Sequence, residues 1–339
     1  MLLPLVKESY RFQSIMLNYL AKRFLALVPI LLGITVISFL ILHLTPGEPT
    51  DLQTQLNPRA TSEVRERLRA FYGLDRPLHV QYLDWLKRFS RLDFGESFST
   101  DHRPVIEKIG ERLPITIGIS GLALLLTLAL AIPAGLLSAL KPGSIFDRAL
   151  TSFSFIGFAA PSFWIALLAI IFFGLKLGWL PISGVHSIFY TQLSSSEKIF
   201  DLARHLILPI FVITFGSVAY FALFLRGSFL EVYHQDFITT ARAKGVPERN
   251  VVIHHTLRNA LLPLITNLGL SVPSLIGGSV ILESIFAIPG MGQLFYTSVM
   301  ARDYPIIMGI LVIGAILTLL GNLLADLGYA LADPRIRAR

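Results

Sequence analysis

Long apolar runs without a charged residue dominate the pattern of this chain. Six stretches contain no Asp, Glu, Lys or Arg, and each is at least 20 residues long. Because a helix of about 20 apolar residues crosses the roughly 30 Å hydrocarbon core of a bilayer, each run is long enough to span a membrane. The pattern predicts an all-α integral membrane protein with six transmembrane helices, over residues 24–44, 113–140, 149–175, 206–225, 260–282 and 304–325. Prolines inside or beside these runs predict kinks, since neighbouring helices can compensate for the lost hydrogen bond.

Composition supports the membrane assignment and removes several other classes of protein. Of the 339 residues, 53% are hydrophobic and 15% are charged, against about 25% charged in an ordinary soluble domain. Mean hydropathy is +0.65. These values argue against a cytosolic globular enzyme. The chain contains no cysteine, which excludes disulfides, thiolate catalysis, iron–sulfur clusters and cysteine-type zinc sites.

The distribution of charge predicts the orientation in the membrane. With the N-terminus in the cytoplasm, the cytoplasmic segments carry 14 basic and 7 acidic residues, whereas the external segments carry 15 of each sign. The whole net charge of +7 then lies on the cytoplasmic side, as the positive-inside rule requires. Both termini are predicted to be cytoplasmic, and the basic excess reflects topology rather than nucleic-acid binding. The predicted membrane domain is 24–325, preceded by an N-terminal segment 1–23 and followed by a tail 326–339. Its two main loops are the external loop 45–112 and the cytoplasmic loop 226–259.

The external loop 45–112 carries signals for two short amphipathic helices. Thr61-Ser62-Glu63 is a plausible helix start and Gly73 a plausible stop. Pro77 can open a second helix. Apolar residues then recur at helical spacing in that second helix, at Leu78, Tyr82, Trp85 and Phe89.

The cytoplasmic loop 226–259 is predicted to be ordered. Glu231–Lys244 contains good helix formers, Gly245 is a stop signal and Pro247 is typical of a first helical turn. The pattern predicts a helix, a glycine break and a second helix. Such an elbow is either a docking surface for another protein or a structured loop, and the pattern alone favours neither.

The sequence contains neither an ATP-binding motif nor a charged residue within its predicted spans that could couple transport to an ion gradient. The predicted spans have no charged residue at membrane depth, which argues against an ion-coupled carrier, although backbone carbonyls can bind Na⁺. No Gly-Lys dipeptide occurs, so a phosphate-binding P-loop is impossible and a partner would have to bind any ATP. Intramembrane catalysis is disfavoured, since neither H-E-x-x-H nor G-x-S-x-G occurs.

Four quoted segments resemble the inner-membrane permease subunits of peptide-type ABC importers, which include dipeptide, oligopeptide and nickel systems. They are LVPILLGITVISFLILHLTPGEP, YGLDRPLHVQYLDWLKRFSRLDFGESF, DFITTARAKGVPERNVVIHHTLRNALLP and LESIFAIPGMGQL, with a terminal ADPRIR. The resemblance runs from Met16 to Arg339, so translation could begin at Met1 or at Met16.

The third of these segments is similar to the cytoplasmic EAA loop of bacterial ABC import permeases. Thr239 and Thr240 stand where that motif has Glu and Ala, and His255 stands where it has Ile. The form TARAKG is typical of the peptide branch. The resemblance implies that this loop couples the permease to its ATPase. Arg242 and Lys244 are either charge partners of the ATPase or solvated residues that follow the positive-inside rule, and the sequence favours neither role. The implied coupling residues are Thr239, Thr240, Ala241, Arg242, Ala243, Lys244, Gly245, Leu257 and Arg258.

The resemblance also implies an activity and a set of partners. The expected fold is the transmembrane domain of a type I ABC importer, and the expected function is ATP-driven import of di- and oligopeptides across the bacterial inner membrane by alternating access. The chain itself would not be an enzyme and would need no cofactor or metal. Expected partners are a related second permease forming a heterodimer, two cytoplasmic ATPases, an external solute-binding protein and membrane lipid, without nucleic acid. The alternatives are a permease for a nickel chelate or another small solute and, less favoured, an ion-coupled secondary carrier.

Overall fold

The computed structural model describes residues 27–50 and 62–332. The predicted N-terminal segment 1–23, the alternative start at Met16 and residues 333–339 of the predicted tail 326–339 lie outside these residues.

Within the described ranges the chain is helical and contains no strand, apart from one isolated bridge between Glu96 and Pro104. In the part of the chain that the structure describes, five helices are long and apolar enough to cross a membrane, or six if one sharply bent pair counts as a single span. The predicted all-α membrane fold is therefore confirmed. The main helices are α1 Leu27–Leu44, α2 Ser62–Phe71, α3 Leu78–Phe89, α4 Val105–Leu140, α5 Ile145–Ala159, α6 Ser162–Ala169, α7 Ser195–Tyr233, α8 Asp236–Ala243, α9 Leu262–Gly277, α10 Val280–Ile285, α11 Met291–Ala301 and α12 Tyr304–Ala332.

The third apolar run is two helices rather than the single helix predicted over 149–175. Helix α5 and the segment Ser162–Lys176, which consists of α6 and a π-helical turn, meet at an angle of 99°. Pro161 lies at the bend, and Ala160 before it is extended. A residue that precedes proline is pushed out of the helical region, and proline has no N–H to continue the helix. The predicted proline kink is thus a break.

The predicted span 260–282 is interrupted, since α9 ends at Gly277, Gly278 has a φ of +67°, and α10 begins at Val280. Helices α4, α7 and α12 instead run past the ends of their apolar stretches. Helix α7 begins at Ser195, well before residue 206, because Ser194 and Glu197 form a capping box at its start. Helix α12 continues beyond residue 325 to Ala332. An uncharged run indicates only the part of a helix that can lie in the hydrocarbon core of the membrane. The helix itself also includes the polar residues on either side of that run.

The described chain forms two compact units. The first contains α1, α2, α3 and the part of α12 up to Leu323. The second contains residues 109–297, which include α5 to α10 and most of α4.

Small residues allow close helix packing in the second unit. A Cβ on Gly157 of α5 would lie 2.6 Å from the Cβ of Ala219 on α7, and a Cβ on Gly135 of α4 would lie 2.8 Å from the carbonyl oxygen of Ala222. Both contacts require glycine. Close approach through small residues is the usual way in which membrane helices gain packing energy, since lipid provides no hydrophobic drive between them.

Candidate functional site

The candidate coupling loop is a folded elbow, defined here as residues 234–251. The predicted helix Glu231–Lys244 is wrong in one respect, because α7 ends at Tyr233 and α8 starts afresh at Asp236. Between them Gln235 is extended, and its carbonyl accepts the N–H of Ile238 at 3.0 Å. This break redirects the chain so that Ile238 becomes fully buried.

The elbow has a small hydrophobic core of its own. Ile238 and Ala241 on α8 are buried against Val251, and Val246 packs on the same cluster. Ile238 and Val251 are both 0% exposed. These residues hold the two arms of the elbow together, so the loop is rigid rather than a flexible connection.

Gly245 makes the turn between the two arms. Its φ is +76°, a conformation in which a side chain costs about 1–2 kcal/mol. The N–H of Gly245 donates to the carbonyl of Arg242 at 2.9 Å, and the N–H of Val246 donates to that of Ala241 at 3.2 Å. This pair of bonds is a Schellman motif. A Cβ on Gly245 would meet nothing within 4 Å, so the requirement for glycine is conformational rather than steric.

Pro247 caps the following helical segment, which begins at Glu248. It therefore lies one position before the first turn in which the sequence placed it. The segment continues as a π-helical stretch, Val251–Leu257, and then as Arg258–Ala260.

Arg242 is engaged inside the elbow. Its Nε and Nη2 donate to the two carboxylate oxygens of Glu248 at 3.1 and 2.9 Å, and its guanidinium lies 4.3 Å from the ring centre of Tyr233. The hydrogen bonds to Glu248 raise the pKa of Arg242 above its usual value. The Tyr233 hydroxyl donates to the same carboxylate at 3.0 Å. Arg242 thus braces α8 against the end of α7 and the second arm.

The remaining predicted coupling residues divide between the outer face of α8 and the second arm. Thr239, Thr240, Ala243 and Lys244 are exposed, and the Lys244 ammonium pairs with no carboxylate in the described part of the chain. Leu257 packs on a separate cluster around Phe229, away from the core of the elbow, and Arg258 is exposed.

Sequence reasoning missed Phe237, which is 42% exposed on α8. A large apolar ring at the start of a short polar helix was the available signal. Exposed aromatic residues of this kind are typical anchors of protein interfaces.

Above the elbow, an ion pair joins three helices. Arg226 of α7 donates from Nε and Nη2 to the carboxylate of Asp147 on α5, at 2.5 and 2.9 Å. The Ser138 hydroxyl of α4 also donates to this carboxylate, as does the N–H of Gly143 at 2.8 Å. The side chain of Asp147 is 6% exposed and that of Arg226 is 24% exposed. In the sequence, Asp147 and Arg226 indicate only the orientation in the membrane, because their pairing depends on tertiary structure.

The second unit also contains a cavity of about 380 Å³. Apolar residues form most of its wall, and it carries seven hydroxyl groups, from Thr116, Ser120, Ser162, Ser217, Ser271, Ser274 and Ser279.

Glu283 is buried at the edge of this cavity. The residue is 6% exposed, and its carboxylate accepts the Thr116 hydroxyl at 3.1 Å and the N–H of Gln293 at 2.9 Å. A Cβ on Gly290 would lie 2.5 Å from this carboxylate, and a Cβ on Gly278 would also collide with it. The sequence indicated only that Glu283 flanks a span, whereas the structure holds it inside the protein.

Family models match nearly the whole chain. The model described as the inner membrane component of binding-protein-dependent transport systems covers residues 131–338. The N-terminal model of such membrane components covers residues 16–120. The chain therefore belongs to the family of inner membrane components of binding-protein-dependent transport systems.

Named relatives are similar over the full length. The oligopeptide transport system permease protein AppB of Bacillus subtilis is 46% identical, over 95% of this chain and 99% of that protein. The di/tripeptide transport system permease protein DppB of Pseudomonas aeruginosa is 36% identical, over 95% of this chain and 99% of that protein.

A solved structure agrees in fold. The MetNI methionine ABC transporter, in an inward-facing conformation, contains a chain that superposes with a TM-score of 0.52 at 18% identity, covering 67% of this chain and 96% of that one. The likeness shows the fold of a type I importer membrane subunit.

These findings confirm the predicted class. The protein is a multi-pass inner-membrane permease subunit of an ABC transporter, a transport component that works with a substrate-binding protein and ATPase partners.

Proposed function

We propose that this chain imports di- and oligopeptides as one half of a permease heterodimer, driven by two ATPase subunits that dock on the elbow of each half. The names of its relatives support peptide as the substrate class, rather than the nickel-chelate alternative. The six-span domain over 24–325, with both termini in the cytoplasm, is part of this proposal.

The observation that carries the proposal is the rigidity of the elbow. A segment that transmits the closing of an ATPase dimer to membrane helices must move as one body. The core around Ile238, the Schellman turn at Gly245 and the Arg242–Glu248 pair each fix one part of the elbow. The outer face of α8 remains free for a partner, with Phe237, Thr240 and Lys244 exposed.

The ion pair Asp147–Arg226 supports the same mechanism. Because Arg226 lies on the helix that leads directly to α8, a displacement of the elbow reaches α4 and α5 through this pair. Alternating access then follows from movement of these helices together.

The hydroxyl-lined cavity suits a substrate of varied sequence. The hydroxyls of Thr116, Ser271 and Ser274 already donate to other groups of the protein and can only accept from a ligand. The other hydroxyls can both donate and accept, so they can meet the N–H and C=O of any peptide. The wall offers no array of charges that would select one side chain, and selection would fall to the binding protein.

Transport assays test the function. In proteoliposomes that contain the chain, its partner permease, both ATPases and the binding protein, we expect uptake of a labelled tripeptide that requires ATP and survives an ionophore. A substitution that disables ATP binding in the partners should reduce uptake to background. Peptide accumulation by this chain alone, driven by an ion gradient, would contradict the proposal.

Phe237→Ala tests docking on α8. Phe237 is exposed here and would be buried by a docked ATPase, so we expect its loss to weaken association with the ATPases by about 2 kcal/mol, or roughly thirtyfold. Co-purification at defined ATPase concentrations measures this effect. Phe189→Ala is the matched control, since Phe189 is also an exposed phenylalanine but lies in a predicted external segment, far from the elbow in the sequence. If Phe237→Ala binds the ATPases as tightly as the control variant and the wild type do, α8 is not the docking element.

A further inference from the structure

The first unit contains a cavity that the coupling mechanism does not use. Its volume is about 510 Å³, within the range of about 300–1,000 Å³ that is typical of small-molecule sites. Residues of α1, α2, α3, the segment 93–102 and the start of α12 line it. Most of this wall belongs to the predicted external loop 45–112.

Aromatic rings surround the cavity. Tyr72 lies 4.3 Å from Phe98, and Tyr304 lies 5.0 Å from His43, measured between ring centres. Phe39 stacks on His43 at 3.9 Å. Trp85 also lines the cavity and stacks 5.3 Å from Phe89. Such rings accept apolar side chains and attract an ammonium group to their faces.

The charged groups at the rim do not all neutralise one another. Arg76 pairs with Asp84 at 2.9 Å, and Asp93 accepts the N–H of Gly95 at 2.8 Å. Arg88 and Glu96 also line the cavity, and neither side chain makes a hydrogen bond or ion pair with the residues that the structure describes. Within the described residues, Arg88 and two carboxylates, those of Asp93 and Glu96, therefore have no ion-pair partner, and Glu96 is the carboxylate whose side chain also accepts no hydrogen bond.

The wall also contains an unsatisfied donor. The Nε1 atom of Trp85 is buried without a hydrogen-bond partner in the described part of the chain. Buried donors in folded proteins are almost always paired, and an exception calls for an explanation. A ligand that brings an acceptor into the cavity would supply one.

We propose that this cavity binds a short peptide as a zwitterion, with Arg88 on its carboxylate, Glu96 on its ammonium group and the aromatic rings on its side chains. The proposal rests on the proposed peptide import. It adds a second binding site for the substrate, separate from the hydroxyl-lined cavity of the other unit. A free di- or tripeptide carries both charges close together, and a chain end within a protein carries at most one.

Tryptophan fluorescence can report on the site directly. The chain has three tryptophans, so Trp164→Phe with Trp179→Phe leaves Trp85 as the only one. The full chain in lipid nanodiscs is titrated with the tripeptide Ala-Phe-Ala, and with forms blocked by N-acetylation, C-amidation or both. We expect the free tripeptide to change Trp85 emission. Each single block should weaken binding by about tenfold or more, the effect of losing one charge-assisted contact.

Substitutions assign each charge to its partner. In Glu96→Gln, N-acetylation should no longer matter while C-amidation still does, and in Arg88→Gln the pattern should be reversed. Lys87→Gln is the matched control, because Lys87 is exposed on the same helix but does not line the cavity. It should behave as the wild type does.

Several outcomes would overturn the site. The first is equal binding of the free and doubly blocked peptides, and the second is no binding up to about 10 mM peptide. The third is that Arg88→Gln and Glu96→Gln bind the peptide as the wild type does and weaken only the association of the solute-binding protein with the permease. The uptake assay separates this proposal from the function. If Arg88→Gln and Glu96→Gln leave peptide uptake and peptide binding unchanged, the cavity proposal fails while import stands. If the wild-type complex imports no peptide, the function itself fails.

Discussion

Gly245→Val is expected to uncouple transport while leaving the protein inserted in the membrane. Valine is β-branched, and at φ +76° it is strained by at least about 1–2 kcal/mol. A free energy of this size changes a conformational equilibrium by a factor of roughly 5–30. The Schellman turn should open, and α8 should lose its fixed position. Peptide uptake should fall to about a tenth of wild type or less, whereas membrane insertion, measured by expression and detergent extraction, should not change.

The matched control for this position is Gly245→Asn. Asparagine tolerates the left-handed conformation better than other residues with a side chain, and the space around the glycine is open. Gly245→Asn should therefore retain most of the transport that Gly245→Val loses. If the two variants transport equally well, the turn has no role in coupling. If both are inactive, the defect is steric and the conformational account is wrong.

Asp147→Asn is expected to destabilise the membrane domain. The substitution leaves the largely buried Arg226 guanidinium without its counter-charge, and breaking a buried pair from one side costs on the order of 3 kcal/mol. Ser138 and the N–H of Gly143 would also lose a charged acceptor. The midpoint of unfolding in a mixed-micelle SDS titration measures the loss.

A double substitution distinguishes a structural pair from an isolated charge. Asp147→Leu with Arg226→Met removes both charges, and it should recover much of the stability that Asp147→Asn loses. Arg148→Gln, at an exposed neighbour on the same helix, should change stability by less than about 0.5 kcal/mol. If the stable double variant also transports at the wild-type rate, the ion pair stabilises the helices but does not transmit movement.

The membrane helices were predictable because their signal is local. Hydrocarbon excludes charge, so an uncharged run of 20 residues indicates a span without knowledge of its neighbours. The break at Pro161 was only half predictable. Proline indicates a distortion, but whether it produces a gentle kink or a 99° bend depends on what α5 and α6 pack against.

The elbow shows the same division between local and tertiary signals. Gly245 and Pro247 mark its turn in the sequence, since glycine and proline act through their own backbones. The break at Gln235 has no such marker, because it serves to bury Ile238 against Val251, thirteen positions away. The pairing of Arg242 with Glu248 likewise depends on how the two arms close. Sequence alone therefore left Arg242 open as a partner for the ATPase.

The small hydrophobic core of the elbow has a consequence for assembly of the transporter. If the elbow is the docking segment, as proposed above, its hydrophobic core forms without the ATPase, so docking need not wait for a disordered loop to fold. Binding of an ATPase on a preformed elbow would avoid the entropic cost of ordering a disordered segment. Under the proposed docking, an ATPase subunit can then be exchanged without unfolding the permease.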